Sequence, residues 1–338
     1  MRKNPTIQDV AKLAGVSKAT VSKYLNNTPY VSPVTKKRIE EAIKKLDYHP
    51  SSLARGLVSK SIKLIALVIS DVELLINSSL IKSIENEAVQ HGYDIVLVNT
   101  NDDLKYEQNL SKVLTERYQH VDGLILANAR ENGVNLPELK KTFENIVLVH
   151  RHIPNDIVDF VVVDNYIGGR LAAEYLVRMG HRKVATISGP KEIYPYRDRI
   201  RGFTQVFEEH DLKDQLIIVE GGQTLESGYH ATEKLMASPA PPTAIFATSD
   251  MLAFGALDAA RDYGWRIPEE LSVIGFDNIF FSRLARIPLT TIDGQFVDLG
   301  KKAVQILLER IENKEQDLQQ IMLHPSLIVR ESCRDLKK

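Results

Sequence analysis

The sequence predicts a chain of two parts: an all-α helix-turn-helix head, residues 1–48, and an α/β body of two doubly wound lobes, residues 61–338. Three observations carry this. Near the N-terminus two short helical patterns, each with its own capping residue, are separated by a Gly-containing turn, the spacing of a helix-turn-helix. From Ile62 onward short apolar runs alternate with amphipathic stretches, the pattern of parallel sheets joined by right-handed crossovers. The charge is also split. Through Lys60 there are 12 lysines and arginines against 4 acids, a net +8, which leaves −9 on the rest of a chain whose formal charge is −1. A small basic module on a larger acidic body implies that only the first part meets a polyanion.

Composition narrows the class. With 338 residues, 43% hydrophobic and 26% charged, the chain has an ordinary globular make-up and can build a sizeable core. The one cysteine, Cys333, cannot form an internal disulfide and fits a reducing compartment. The N-terminal basic residues precede no continuous apolar run, and no stretch approaches the roughly 20 apolar residues of a membrane helix. A cytoplasmic protein without membrane contact is expected.

The head reads in order. Thr6 caps a helix over 7–14, with Asp9 placed to return the bond, and Gly15 breaks it. Ser17 caps a second helix, Lys18 to Leu25, which Asn26-Asn27 ends. Ser32 and Pro33 open a third, to about Leu46. Val10, Leu13, Ala14, Val16, Val21 and Leu25 are expected to pack against Ile39, Ala42, Ile43 and Leu46. The outer face of the second helix is then Lys18, Ala19, Ser22 and Lys23. Lysine donates to guanine acceptors and a small Ala meets a thymine methyl. Thr6, Thr20, Ser22 and Asn26 are short polar groups suited to phosphate oxygens. A solvated Lys/Ser face on a small bundle is the plainer alternative.

The stretch TIQDVAKLAGVSKATVSKYLNNTPYVSPVTKKRIEEAIKKLDYHPSSLARGL closely resembles the head of lactose-repressor (LacI/GalR) family transcriptional regulators. The marks are D-V-A-x-x-A-G-V-S, T-V-S, L-N, V-S-x-x-T, I-x-x-L-x-Y-x-P and A-R-x-L. The resemblance implies that the second helix enters the major groove, with Ser17 at its start and Lys18, Ala19 and Lys23 as its base-reading positions. Arg is common in the family where Lys23 stands, and Lys lacks the rigid bidentate fork.

In the body, strand candidates are LIALVIS, DIVLVN, GLILAN, NIVLVH, DFVVVD, KVATIS, LIIVE, AIFATS and LSVIGF. Helical stretches include 78–91, 105–118, 166–179, 200–210, 226–237 and 251–263. So many strands suit two sheets better than one. Such a fold can host an enzyme or a binding protein, so the chemistry has to come from the site. There is no G-x-G-x-x-G after a strand, no P-loop, no G-x-S-x-G and no H-E-x-x-H. His150 and His152 alternate at a strand end, but no third metal ligand lies nearby in sequence, and His181 reads as a loop hydrogen-bonder. No nucleophile-base set assembles, so neither enzyme activity, nor a cofactor, nor a metal is expected.

The segments VVVDNYIGGRLAAEYLVRMGHRKVATISGP, RIRGF, AIFATSDMLAFGAL and RIPEELSVIGFDN look like the effector domain of the same regulators, a fold shared with periplasmic sugar-binding proteins. That resemblance implies two lobes joined by three crossings, near 162, 290 and 322. The first lobe is then about 61–162 and 291–322, and the second about 163–290 and 323–332. It places a small-molecule effector between them, with Asp71, Asn77, Arg151, Arg197, Gln223, Ser249 and Asp277 as its contacts. An Asp, an Arg and amides suit a ring bearing hydroxyls. Few aromatic residues stand at the positions where members carry them, which argues for a sugar or sugar phosphate over a purine. The resemblance also implies a homodimer on a palindromic DNA operator, since two heads read two half-sites. The competing readings are a transport-type sugar-binding protein, which the basic head disfavours, and a metabolic enzyme on the same fold.

Residues 49–60, HPSSLARGLVSK, read as a hinge helix with Leu53 and Leu57 on one face. So short a helix, with Gly56 inside it, is unstable alone in water. The resemblance gives Leu53, Ala54 and Leu57 a place at the operator, Leu57 wedging into the minor groove. Leu57→Ala is expected to weaken binding to the operator far more than to nonspecific DNA, and Lys18→Ala to relax base preference. Gel-shift titrations on both DNAs check this; unchanged operator affinity in Leu57→Ala would contradict the wedge.

Overall fold

A computed structural model describes residues 5–25, 31–48, 61–153, 157–313 and 315–337. The predicted hinge, with Leu53, Ala54 and Leu57, and the predicted phosphate contact Asn26 lie outside the described residues. The chain divides into two compact units, Met1–Lys63 and Leu64–Lys338.

In the first unit three helices form where the caps foretell them: α1 (Ile7–Ala14), α2 (Lys18–Leu25) and α3 (Pro33–Leu46). Thr6 and Asp9 exchange capping bonds, and Gly15 ends α1 with φ 62°, a left-handed conformation that glycine adopts without a Cβ penalty. The Ser17 hydroxyl accepts from the Thr20 amide at 3.1 Å, and Ser32 does the same for Thr35 at 3.3 Å. Val10, Ala11, Ala14, Val21, Ile39 and Ala42 close the core. Leu13 departs from expectation and is 45% exposed. At about 100° per residue, the inward stripe of Ile7, Val10, Ala11 and Ala14 leaves position 13 on the opposite shoulder.

The second unit runs β1 (Leu64–Ile69), α4 (Leu75–Gln90), β2 (Asp94–Asn99), α5 (Leu104–Gln108), α6 (Leu110–Tyr118), β3 (Gly123–Ala127), α7 (Leu136–Lys140), β4 (Ile146–Val149) and β5 (Asp159–Val163). It continues with α8 (Asn165–Arg178), β6 (Val184–Ser188), α9 (Tyr194–Glu209), β7 (Leu216–Glu220), α10 (Leu225–Met236), β8 (Ala244–Ala247), α11 (Asp250–Tyr263) and β9 (Ser272–Asp277). It ends with β10 (Thr290–Asp293), α12 (Phe296–Glu312), β11 (Gln320–Leu323) and β12 (Ser326–Ile328). The strands make two six-stranded sheets, ordered β2-β1-β3-β4-β5-β11 and β7-β6-β8-β9-β10-β12. All neighbours are parallel except β12, which is antiparallel to β10. Each sheet is covered by apolar packing on both faces, as the near-continuous hydrophobic runs of its strands require.

The chain passes between the sheets after β5, after β10 and between β11 and β12. The middle crossing falls after Asp293, later than the expected 290, because Thr290–Asp293 pair with β9, Thr290 beside Ile274. The returning α12 docks on the first lobe through Arg310, whose Nε and terminal nitrogen donate to the two oxygens of buried Asp159 at 3.0 and 2.8 Å. In the second lobe, helices meet at glycines. A Cβ at Gly202 of α9 would strike the Tyr166 carbonyl of α8, and one at Gly255 of α11 the Leu225 carbonyl of α10. Gly202→Ala must therefore push two helices apart, and overpacking of this kind costs about 1–3 kcal/mol. A lowered urea midpoint with an unchanged slope is the expected result.

Candidate functional site

Parallel strands carry their functional ends at one edge, and here the carboxyl ends of both sheets face the same crevice. The cavity between the lobes measures about 40 Å³. The first lobe lines it with Leu74, Leu75 and Ile76 at the start of α4 and with His150 and Arg151 after β4. The second lobe lines it with Tyr196 and Arg199 of α9, Gln223, Ser249, Met251 and Asp277. A wider cavity of about 270 Å³, lined by Arg130, Glu131, Tyr194 and again Arg151 and Gln223, adjoins it.

Among the non-glycine residues with positive φ at strand ends are Asn128 (64°) after β3, His150 (66°) after β4 and Asp277 (115°) closing β9. Such backbone is costly and persists where surroundings over-determine it, commonly at functional sites. At Asp277 the surroundings are plain. Arg199, 2% exposed, lies over the Phe276 ring at 3.5 Å, donates to Asn165 Oδ1 at 2.8 Å and to the Thr248 carbonyl at 2.6 Å, and pairs with Asp277 Oδ1 at 3.2 Å. Behind it, buried Asp250 accepts from the Ile279 amide at 2.9 Å, Ser282 Oγ at 2.5 Å and Thr291 Oγ1 at 2.6 Å.

Of the residues expected at the site, Arg151, Gln223, Ser249 and Asp277 line the cavity. Ser249 also caps α11, its hydroxyl accepting from the Leu252 amide at 3.3 Å. Asp71, Asn77 and Arg197 are not among the cavity-lining residues. Asp71 caps the Glu73 amide at 2.9 Å. Asn77 is fully buried between the Asp71 carbonyl and Asn128. Arg197 is a correction: its side chain is 50% exposed and pairs with Glu131 at 3.1 Å. Two residues along a helix is a turn of about 200°, so Arg197 faces solvent where Arg199 faces the cavity. The signal for Arg199 was the helical phase of α9, in which Arg199 falls four residues before buried Phe203.

In the head, Lys18, Ala19 and Lys23 are exposed on α2, as a groove-reading face requires, while Thr20 and Ser22 are half-buried. Thr6, Ser17 and Thr20 are engaged in cap bonds. His181 bonds Thr243 Oγ1 and the Arg334 carbonyl, at 2.9 and 3.2 Å. Among the described residues no group of three or more His, Cys, Asp or Glu side chains could hold a metal ion.

Residues 6–51 match the model for bacterial regulatory proteins of the lacI family, and residues 173–333 that for a periplasmic binding protein-like domain. The chain is 37% identical to the HTH-type transcriptional repressor PurR of Edwardsiella ictaluri (strain 93-146), over 98% of this chain and 97% of that one. The chain belongs to the LacI family. Among solved structures, the lac repressor dimer bound to operator and the anti-inducer ONPF superposes with a TM-score of 0.86 at 26% identity, covering 98% of this chain and 100% of that one. The transcriptional regulator CelR–cellobiose complex does so with a TM-score of 0.72 at 29% identity, covering 97% and 99%. This LacI-family chain is a DNA-binding transcriptional repressor, with a helix-turn-helix head and a two-lobed body that controls DNA affinity through an effector.

The buried acids of the body leave a pH signature. Burial, then repulsion from Asp277, raises Asp250 to about 7, and burial raises Asp277 to about 6 against the pull of Arg199. An acid with a raised folded value holds its proton more tightly in the native state, so its stabilising contribution is full at low pH and is lost as pH climbs toward 7. Burial lowers His150, and lowers His181 to about 4, which acts oppositely: their contribution is lost as pH falls below about 6.5. Asp250→Asn removes Asp250's share of the first effect and leaves the histidines in place. Relative to the variant, wild-type urea midpoints are expected to fall between about pH 5 and pH 7.5; parallel curves would contradict this.

Proposed function

We propose that this repressor is a cytoplasmic homodimer without catalytic activity, that its effector is a carbohydrate, and that Arg151, Arg199, Gln223, Ser249 and Asp277 contact it. The observation that carries the reading is the set of polar side chains that meet in a cavity otherwise lined by apolar residues such as Leu74, Leu75, Ile76 and Met251. Two guanidiniums, a carboxylate, an amide and a hydroxyl converge there, donors and acceptors in the mixture a polyhydroxylated ring needs. Its rings are Tyr196 and the imidazole of His150. Tyr196 already lies beside Arg199, at 5.6 Å, so no pair of aromatic faces stands ready to sandwich a planar base. The relation to CelR, solved with cellobiose, points the same way.

A cavity of about 40 Å³ holds a few waters, each needing roughly 10–15 Å³. The adjoining cavity of about 270 Å³ is larger but is not lined by Arg199, Ser249 or Asp277, so a sugar reaches those three only as the lobes part. Contacts between them among the described residues include the exposed Arg197–Glu131 pair, Tyr194 Oη donating to the His150 carbonyl at 3.3 Å, and the Tyr194 ring edge-on to His152 at 4.6 Å. An exposed ion pair is worth about 0–1 kcal/mol, so differential binding by a ligand can bias the lobe arrangement. Exposed Phe280, Phe281 and Leu284 on the second lobe add an apolar patch of the kind that supports pairing of two copies. The predicted hinge, 49–60, links lobes and head in this reading.

Calorimetry of the full chain with sugars and with purine bases, beside light scattering, tests it. Sugar binding with a dimeric mass is expected. Purine binding without sugar binding, or a monomeric mass, would overturn the corresponding part.

A further inference from the structure

Two residues that line the cavity each hold a buried nitrogen without a hydrogen-bond partner among the described residues: Arg151 at Nε and His150 at Nε2. Both side chains are deeply buried, at 5% and 4% exposure. Of the three buried arginines among the described residues, Arg199 pairs with Asp277 and Arg310 with Asp159, while Arg151 has no carboxylate in ion-pair reach. Its terminal nitrogen meets only the Asn128 carbonyl, at 3.4 Å. The acids around it are otherwise engaged. Asp102 pairs with Arg130 and Glu131 with Arg197, while Glu107, which accepts from Thr100 Oγ1 at 3.4 Å, forms no ion pair with Arg151. Arginine stays charged, and a buried charge without a counter-charge is costly. Arg130, which stands beside Arg151 at the wider cavity, has a second unpartnered Nε. The other acid lining that cavity, Glu192, is exposed to solvent.

The His150 nitrogen has a defined polarity. Asn77 Nδ2 donates to the Asp71 carbonyl, and Asn128 Nδ2 donates to Asn77 Oδ1 at 2.8 Å. Asn128 Oδ1 must then accept from the Nδ1–H of His150. Burial, with Arg151 and Arg199 nearby, holds the imidazole neutral. Nε2 is left as a buried lone-pair acceptor with no donor, on a residue that lines the cavity, and it calls for a hydroxyl donor.

We propose that the effector is a phosphorylated sugar, its phosphate seated on Arg151 with Arg130 beside it and one of its hydroxyls donating to His150 Nε2. Two guanidiniums suit a phosphate dianion, whose three oxygens accept several forked donors at once. This rests on the carbohydrate reading above and narrows it.

The test is calorimetry of the full chain with ribose, glucose and fructose, with ribose 5-phosphate, glucose 6-phosphate and fructose 6-phosphate, and with hypoxanthine and guanine. A phosphorylated member is expected to bind at least about 10-fold tighter than its parent sugar, a gap of about 1.4 kcal/mol. Arg151→Gln erases that gap, and His150→Phe weakens parent and phosphate by the same factor. Without ligand, Arg151→Gln melts no lower than wild type, since it removes an unpaired buried charge. Inorganic phosphate raises the wild-type melting temperature more than the variant's; equal shifts are its general salt effect and count against the site. Equal binding of parent and phosphate overturns this inference and leaves the carbohydrate reading standing, whereas purine binding alone overturns that reading. A ligand-free melting temperature lowered by more than about 5 °C in Arg151→Gln would make the guanidinium structural and end the proposal.

Discussion

The guanidinium of Arg199 is the point at which four elements of the second lobe meet. It takes a side-chain oxygen from α8, a carbonyl from the end of β8, a carboxylate from the end of β9 and the face of Phe276. A cation buried this deeply is tolerable only with its hydrogen bonds and counter-charge in place, so each element is fixed relative to the others. The close helix crossing at Gly202, three residues further along α9, serves the same end. It lets α9 lie against α8 closely enough for Arg199 to reach Asn165. The left-handed backbone of Asp277 is the local cost of presenting its carboxylate to that cation and to the crevice together.

The first lobe is built on a different balance. Its cavity-facing cation, Arg151, has no carboxylate, and its cavity-facing imidazole ends a one-way chain of amides running back to Asp71. The second lobe pairs its buried cavity cation with a carboxylate, and the first leaves its own without one. In the proposed reading, a ligand that fills that lack gains most with both lobes around it, and its binding energy biases the lobe arrangement.

Much of the head was legible because its determinants are local. A Thr-x-x-Asp box, a Gly in the left-handed region and a Ser-Pro start each act within a few residues, and α1, α2 and α3 begin and end where these signals stand. Leu13 was misread because apolar character alone does not set helical phase. The longer strands of the body were legible as apolar runs. β10, β11 and β12 were not, being only three or four residues long and mixed in character. That is also why the crossing after Asp293 was placed too early.

The sequence by itself determined the two-part plan, the outward face of α2, the parallel α/β body and the family. These follow from capping chemistry, hydrophobic period and motif, all of which act at short range along the chain. Only the tertiary structure decided that Arg199 and not Arg197 faces the cavity, that Asp71 and Asn77 serve backbone and amide partners, and that Arg151 is buried without an acid. Those facts depend on what another lobe, sheet or helix brings within hydrogen-bond distance, and partners tens of residues away leave no mark in the local pattern.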